Sequence, residues 1–476
     1  LRCDQTDRSQ LVFTLDHVYD TEVRLAHKLT CPRHETDASA LAVLDTFDRL
    51  VATDADTDPQ LDGYPCWRGV FSLYKKLDPV QRNCLRVMLN RRMLVLVGGA
   101  GTGKTLTLAC CVHFLNDILH QETRGVALMG KAATRLQESL ADKRISCRTI
   151  HAEIASCCRE PCNYAVDEIG TCPTHLLLRL IDPLTLDKYI LFCGDEKQLP
   201  SIQAGMVLRD MLHVDSALPV VRLQTVHRTA EGNDIASISP TIFESGAKQL
   251  LPEPRTGDFS ITLLGRGDAM KEERFKEAVA TFRKYQSNQN GDVQMLTNTN
   301  ATAEEANCIL QPLFLPQVLN SATPRLPRKY GAPFFVGDRV VCTETIDTPH
   351  GVRIYNGTVG SVHSIDMTKK NMVVHFYENA ATYTAATNGV KHAYCMTIHR
   401  SQGSEYAYAV VLLQSPWALS KNLLYTAITR AQRAGTIVAS EYCLQRALST
   451  EIVRTTRLSA RLQEELTRTT KKKRKH

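Results

Sequence analysis

The 476-residue sequence is poor in aromatic side chains, at 6% with only two tryptophans, too few for a lectin-like or lipid-handling surface. It has no apolar run of about 18 residues, so no membrane span is expected. Its sixteen cysteines lack the regular spacing of a secreted disulfide framework and include the adjacent pairs Cys110-Cys111 and Cys157-Cys158; a reducing intracellular compartment fits them. The first residues, Leu1-Arg2-Cys3-Asp4-Gln5, carry no signal-peptide apolar region, and without Met they read as an excised or processed chain. Excess charge is also scarce outside one place. The net charge of +7 comes from 57 Lys and Arg against 50 Asp and Glu. Lys471, Lys472, Lys473, Arg474 and Lys475 account for five cations, leaving 52 against 50 in the body. A polyanion site in that body must be a local groove, and the tail is a separate cation block.

What is present is an ordinary apolar fraction, 43%, on a chain long enough for two to four domains. From Asp45 to Asp62 six aspartates face Arg49 alone, a composition that reads as an exposed linker. Asp54, Asp56 and Asp58 imitate a calcium loop, but Pro59 stands where Gly is needed and Pro65 where a bidentate Glu is needed, so calcium is rejected. Beyond Leu77 a helical stretch through Arg91 leads to the apolar strand Met93 to Val97. Similar strands at 125–129, 189–193, 293–297, 408–413 and 436–439 alternate with helix-length segments such as 106–119, which implies an α/β chain with parallel sheets. Short alternating strands with glycine turns at 338–343, 357–365 and 371–377 imply a small inserted β-barrel.

Three strings carry chemistry. Gly98-Gly99-Ala100-Gly101-Thr102-Gly103-Lys104-Thr105 fits G-x-x-x-x-G-K-[ST] between a strand and a helix, so its backbone N–H groups and helix N-terminus suit phosphates. Lys104 should reach the β and γ phosphates and Thr105 should ligate Mg²⁺. Ala165-Val166-Asp167-Glu168-Ile169 supplies the acidic strand end that such a site requires, with Asp167 orienting the metal shell and Glu168 as general base for water. A strand then runs into Gly194-Asp195-Glu196-Lys197-Gln198-Leu199-Pro200.

That last string resembles the G-D-x-x-Q-L-P motif of superfamily 1 helicases. Thr397-Ile398-His399-Arg400-Ser401-Gln402-Gly403-Ser404-Glu405 is similar to T-x-H-K-S-Q-G-x-E, and Asn422 to Ala431 to N-L-L-Y-T-A-I-T-R-A. The resemblance covers about 77–440 and points to the RecD-like B group, which moves 5′ to 3′ on single strands. It implies two tandem RecA-like domains with an SH3-like barrel inserted in the second, matched by Phe335 to Val340 and Tyr355 to Gly360. The expected layout is an N-terminal segment with linker at 1–76, a first motor domain at 77–224, a second at 225–333 and 391–450, the barrel at 334–390, and a C-terminal helix with basic tail at 451–476.

The resemblance also assigns roles. ATP would lie between the motor domains, held by Gly98, Gly99, Ala100, Gly101, Thr102, Gly103, Lys104 and Thr105, with Gln81 reading adenine and Glu405 the ribose. Gln198, Arg228 and Arg430 would join Lys104 and Glu168 in hydrolysis, although many relatives carry Gln where Thr229 stands. Lys131, Thr149, His151, Asn300, Thr397 and His399 would hold the strand. The implied partners are single-stranded and forked duplex DNA, with RNA as the alternative because backbone-gripping motifs do not read the sugar, and the motor is expected to be monomeric. A nucleotide-switched clamp without turnover is disfavoured by the complete set of catalytic residues.

Two features depart from the family. Only residues 152–165 separate the Thr-Ile-His and Asp-Glu motifs, so the strand-splitting pin is truncated or replaced. The same gap holds Cys157, Cys158 and Cys162, with Cys172 and His175 beyond; their adjacency suits free thiols better than zinc. The basic end, after an expected helix at 451–466, reads as a nuclear localisation signal, with a phosphate-binding tail as runner-up.

Overall fold

The computed structural model describes residues 2–7, 10–14, 16–31, 38–53, 65–142, 144–156, 160–214, 218–227, 235, 241–243, 259–265, 267–288, 292–316, 320, 323–328, 331–348, 353–376, 381–385, 389–452, 454 and 456–473. The chain forms two compact units: Leu1–Leu128, Ala132–His227 and Val453–His476 in the first, Met129–Lys131 and Arg228–Ile452 in the second.

The first unit is built on six parallel strands in the order Cys147–Thr149, Thr123–Ala127, Asn163–Asp167, Ile190–Gly194, Met93–Gly98, Val220–Leu223. The central strands are buried throughout, as a sheet covered on both faces requires. The two-residue alternation of a strand divides their side chains: Leu94 and Leu96 enter one core, while Met93, Val95 and Val97 enter the other. The helix expected at 106–119 is α-helical over Lys104–His113 and widens to a π turn over Phe114–Ile118, where the Leu119 N–H bonds the Phe114 carbonyl.

The first part of the acidic stretch is helix rather than linker. Ala38–Ala52 is a helix that buries Ala40, Leu44, Phe47 and Leu50 against Phe71 and Tyr74. Apolar residues at helical spacing outweigh the interspersed aspartates, which are partnered. Arg86 bonds Asp45 at 2.7 Å and Asp48 at 2.5 Å, and the Tyr74 hydroxyl donates to Asp48 at 2.6 Å. Residues 54–64, with the calcium-loop mimic, lie outside the described residues.

The C-terminal segment also belongs to the first unit. Its helix spans Leu458–Lys473, later than the expected 451–466, and buries Leu458 and Leu462 in the core that holds Leu25 and Leu29. Ahead of it, Arg454 donates to the carbonyls of Ser201 and Gln203, and Thr456 donates to Asp210 at 2.6 Å. The buried carboxyl of Glu22 accepts the Arg457 N–H. Burial pushes Asp210 up to about 6 against the Thr456 hydrogen bond, and burial, with Asp210 nearby, also raises Glu22. A carboxyl raised in the folded state stabilises fully below its unfolded value of about 4, and that contribution is lost as pH rises through the folded value. Asp210→Asn, which removes the buried charge, is therefore expected to stabilise the first unit by about 1–3 kcal/mol at pH 8. The gain should vanish near pH 4, as thermal melts across pH will register.

The second unit carries five parallel strands in the order Cys395–Thr397, Val293–Thr297, Tyr406–Leu413, Ala431–Ala439, Phe259–Leu263. Between the second and first of these in space, the chain makes a five-stranded antiparallel sheet in the order Ala381–Ala385, Asn371–Phe376, Val359–Asp366, Arg339–Cys342, Val390–His392. This sheet has its own core of Val340, Val362, Met372, Val374 and Phe376. Asp338, fully buried, ties it to the parallel sheet. Its carboxylate accepts from the Phe335 N–H at 2.7 Å, Gln311 Nε2 at 2.8 Å, the Tyr394 hydroxyl at 2.9 Å and His392 Nε2 at 3.1 Å.

Candidate active site

In the first unit every described candidate except Gln81 lies at or just after the C-terminal end of a parallel strand, where open α/β sheets bind ligands. Gly98 ends one strand, Asp167 a second, Gly194 a third and Thr149 a fourth. The phosphate loop turns through Gly101 and Gly103, both at φ near +79° (78° and 79°), into the helix Lys104–His113. Gly103 is the N-cap and brings no side-chain cap, so the start of that helix suits an anion.

Lys104 is folded over its own loop, with Nζ donating to the carbonyls of Gly98 at 2.7 Å and Gly99 at 2.8 Å. Thr102 Oγ1 also bonds Gly99. Behind the loop sits Gln81, 1% exposed, whose Nε2 donates to the Thr102 carbonyl at 3.0 Å and whose Oε1 accepts the Asp78 N–H at 2.9 Å. Asp78 returns a bond to the Gln81 N–H, completing a capping box at the start of Pro79–Arg91. The structure thus makes Gln81 a brace for the phosphate loop, with both ends of its amide engaged. A Cβ added at Gly103 would land on Gln81 Nε2, at a backbone angle that already disfavours side chains. Gly103→Ala should weaken nucleotide binding by about 1–3 kcal/mol, measured with a fluorescent ATP analogue.

His227, unnoticed in sequence, closes the same assembly. Its N–H donates to the Gly101 carbonyl at 2.9 Å and its Nε2 to Asp78 at 2.9 Å. Burial opposes ionisation of Asp78, but hydrogen bonds from the Gln81 N–H and His227 hold its carboxyl below the usual range. Asp78-Pro79-Val80-Gln81 is a legible capping signal, whereas the His227 contact has no local signature. Arg228, the next residue, lies outside the described residues.

The acidic motif ends the strand Asn163–Asp167, which the strand Ile190–Gly194 separates from that of the phosphate loop. Asp167 Oδ1 accepts the Glu168 N–H at 2.9 Å, and Glu168 adopts φ 52°. A non-glycine residue held in this left-handed region costs about 1–3 kcal/mol and is retained where surroundings demand it, commonly at working sites. Lys104, Asp167 and Glu168 all act on the buried Cys193 thiol, which burial above all pushes well beyond its ordinary value. The three charged groups are therefore all near this one thiol, in the strand Ile190–Gly194. Gly194 packs against Ile169 and Leu208, and the Ser201 N–H bonds the Gly170 carbonyl, so the loop bearing Asp195 and Gln198 rests on the turn after Glu168.

The strand-contact candidates are less uniform. Thr149 caps the helix Ile150–Ala155 by accepting the Ala152 N–H, and His151 is exposed on that helix. A buried pair, Arg124 with Glu153 at 2.8 Å, fastens the helix to the sheet. Lys131 falls with the second unit, its ammonium 5.7 Å from the centre of the Tyr406 ring. In the second sheet Thr397 ends one strand, and Asn300, exposed, opens the helix after another. His399 follows, largely buried, and burial pushes its imidazole below its ordinary value. Glu405 and Arg430 instead stand just before the strands Tyr406–Leu413 and Ala431–Ala439, at the opposite, N-terminal edge. The resemblance implies an Arg430 that reaches out to nucleotide. In the structure it is 3% exposed, donating to the carbonyls of Thr426 at 3.0 Å and Ser404 at 2.8 Å, since carbonyls in the last turn of a helix accept donors from beyond it. Glu405 accepts from Gln432 at 2.8 Å.

No zinc set forms among the described residues: Cys162 and Cys172 are buried thiols pushed up to about 11 and about 12, chiefly by burial, and Cys157 and Cys158 lie outside them. Among the described residues, the close group His113, Asp117 and Asp142 carries its own cation, since Arg144 bonds both carboxylates at 3.0 and 2.6 Å.

Family comparison agrees with this geometry. Residues 76–250 match the AAA domain family and residues 392–438 the UvrD-like helicase C-terminal domain. The RecBCD enzyme subunit RecD of Mycolicibacterium smegmatis is 27% identical over 426 residues, 80% of this chain and 74% of that protein. The ATP-dependent RecD2 DNA helicase of Deinococcus radiodurans is 29% identical over 374 residues, 75% of this chain and 48% of that protein. These matches support a resemblance of this chain to the RecD-like group of superfamily 1 helicases. Its fold is also that of a solved Pif1 helicase from Bacteroides, with TM-score 0.50 and 13% identity over 82% of this chain and 97% of that one. In this chain the nucleotide motifs keep the order of those relatives, while the Arg430 side chain is held by the carbonyls of Thr426 and Ser404.

Proposed function

We propose that this chain is an ATP-dependent DNA helicase that moves 5′ to 3′ along single-stranded DNA and opens forked duplex. The observation that carries this is the grouping of Lys104, Asp167 and Glu168 near the Cys193 thiol, in the unit whose phosphate-loop helix has no side-chain N-cap. Triphosphate binding draws Lys104 from the Gly98 and Gly99 carbonyls to the β and γ oxygens, and Gln81 keeps the loop in shape. Glu168 takes a proton from the attacking water, and Gln198 senses the γ-phosphate from the adjoining loop. Thr105 and Asp167 fit Mg²⁺ in donor chemistry, a hydroxyl and a carboxylate; such an ion neutralises phosphate charge. Arg430, released from Thr426 and Ser404, and Arg228 add positive charge in the transition state, with Glu405 on the ribose.

Strand grip is assigned to Lys131, Thr149, His151, Asn300, Thr397 and His399, acting on phosphate and sugar without reading sequence. The motor is proposed to act as a monomer, and the basic end as a nuclear import signal, which unchanged import after deleting 471–476 would exclude. Forked duplexes with 5′ or 3′ overhangs test the main reading: unwinding should need the 5′ overhang. ATPase stimulation by RNA alone, and not by single-stranded DNA, overturns the DNA assignment.

A further inference from the structure

Trp417 is 73% exposed, the most exposed large apolar side chain after Ile202 among the described residues. Tryptophan ordinarily buries its indole, and where it does not, one flat face is available to a partner. Its backbone is not loose. Asn298, itself 4% exposed, donates through Nδ2 to the carbonyls of both Ser415 and Trp417 at 2.8 Å. The Trp417 N–H donates to Ser415 Oγ, and Ala418 sits at φ 56°. A non-glycine residue in that region, beside a doubly anchored carbonyl, marks a loop whose conformation is set by its surroundings. An aromatic held this way loses little freedom on binding.

The position is as informative as the exposure. Trp417 follows the strand Tyr406–Leu413 and so stands at the C-terminal edge of the second sheet. Asn298 follows the adjacent strand Val293–Thr297, two residues before Asn300, and Thr397 ends the next strand, in register with Thr297. The anchored loop and the proposed phosphate and sugar contacts thus share one edge, away from Arg430 and Glu405. Asn300 and Thr397 are polar and offer nothing to the faces of bases. A strand on that edge leaves its bases without stacking partners unless an aromatic supplies one.

We propose that Trp417 is a stacking platform for a nucleobase of single-stranded DNA bound along the C-terminal edge of the second sheet. The inference rests on the DNA-helicase reading, and it adds a base contact to a grip assigned so far to backbone alone.

Intrinsic fluorescence of the full chain tests it directly, because Trp67, the other tryptophan, is half-buried with its ring 6.3 Å from that of Phe47. Titration with oligo-dT should quench emission in the parent protein and leave it unchanged in Trp417→Phe. Trp417→Ala should weaken oligo-dT binding by roughly 10-fold, with Trp417→Tyr recovering most of the loss and melting temperatures equal throughout. On an oligomer with abasic positions, parent and Trp417→Ala should bind equally, which a merely structural role for Trp417 would not produce. Oligo-dT binding without quenching, and equally tight in Trp417→Ala, overturns the stacking assignment and leaves the helicase reading standing. No oligo-dT binding by the parent protein overturns both.

Discussion

Lys104→Ala should lower ATP turnover by at least about 10³-fold, with the melting temperature of the first unit unchanged. Among the described residues the Lys104 ammonium bonds the carbonyls of Gly98 and Gly99, and those carbonyls lie in a loop also held by Gln81 and His227. The loop therefore keeps its shape without the side chain, and what is lost is charge on the transferring phosphoryl group. Glu168→Gln provides the contrast. It removes the base while preserving volume, so hydrolysis should fall by about 10²- to 10⁴-fold and nucleotide should still bind. A phosphate-release assay alongside nucleotide titration checks both, and appreciable turnover in Lys104→Ala removes the catalytic assignment altogether.

Asp338→Ala should destabilise the second unit by about 3–5 kcal/mol. Four donors converge on this carboxylate inside the protein, and none has water to turn to: Phe335 N–H, Gln311 Nε2, Tyr394 hydroxyl and His392 Nε2. Arg328 donates to His392 Nδ1, so Nδ1 accepts and Nε2 carries the proton given to Asp338. Burial first, and then Asp338 itself, push the Tyr394 phenol far above its ordinary value, which keeps it a donor. Because Tyr394 directly precedes the strand Cys395–Thr397, the damage should reach Thr397 and weaken strand binding. Hydrogen exchange should locate the loss in the inserted sheet and that edge strand. Protection left unchanged there would mean that the network is dispensable.

The route by which Thr397 and Glu405 part company illustrates what sequence alone leaves open. They stand eight residues apart in a single motif, and the string by itself gives no sign that they serve different edges. Parallel pairing of Cys395–Thr397 and Tyr406–Leu413 on either side of Val293–Thr297 decides it: Thr397 ends a strand, Glu405 precedes one, and a parallel sheet puts those two places on opposite sides. The acidic helix Ala38–Ala52 shows the converse. Its Ala40, Leu44, Phe47 and Leu50 were at helical spacing in plain view, but a count of aspartates hid them, since composition ignores period.

By itself, the sequence determined the α/β class, the phosphate loop, the acidic strand end and the family resemblance, because each is local: a strand, a glycine turn and a helix start need only a few consecutive residues. Tertiary structure decided the rest. It set His227 against Asp78, 149 residues away, returned Arg454 to the loop after Gln198, buried Arg430 on its own helix end, and turned Trp417 outward beside Asn298. Such contacts join residues far apart in the chain, and only the folding of sheets and helices around shared cores brings them within hydrogen-bond reach.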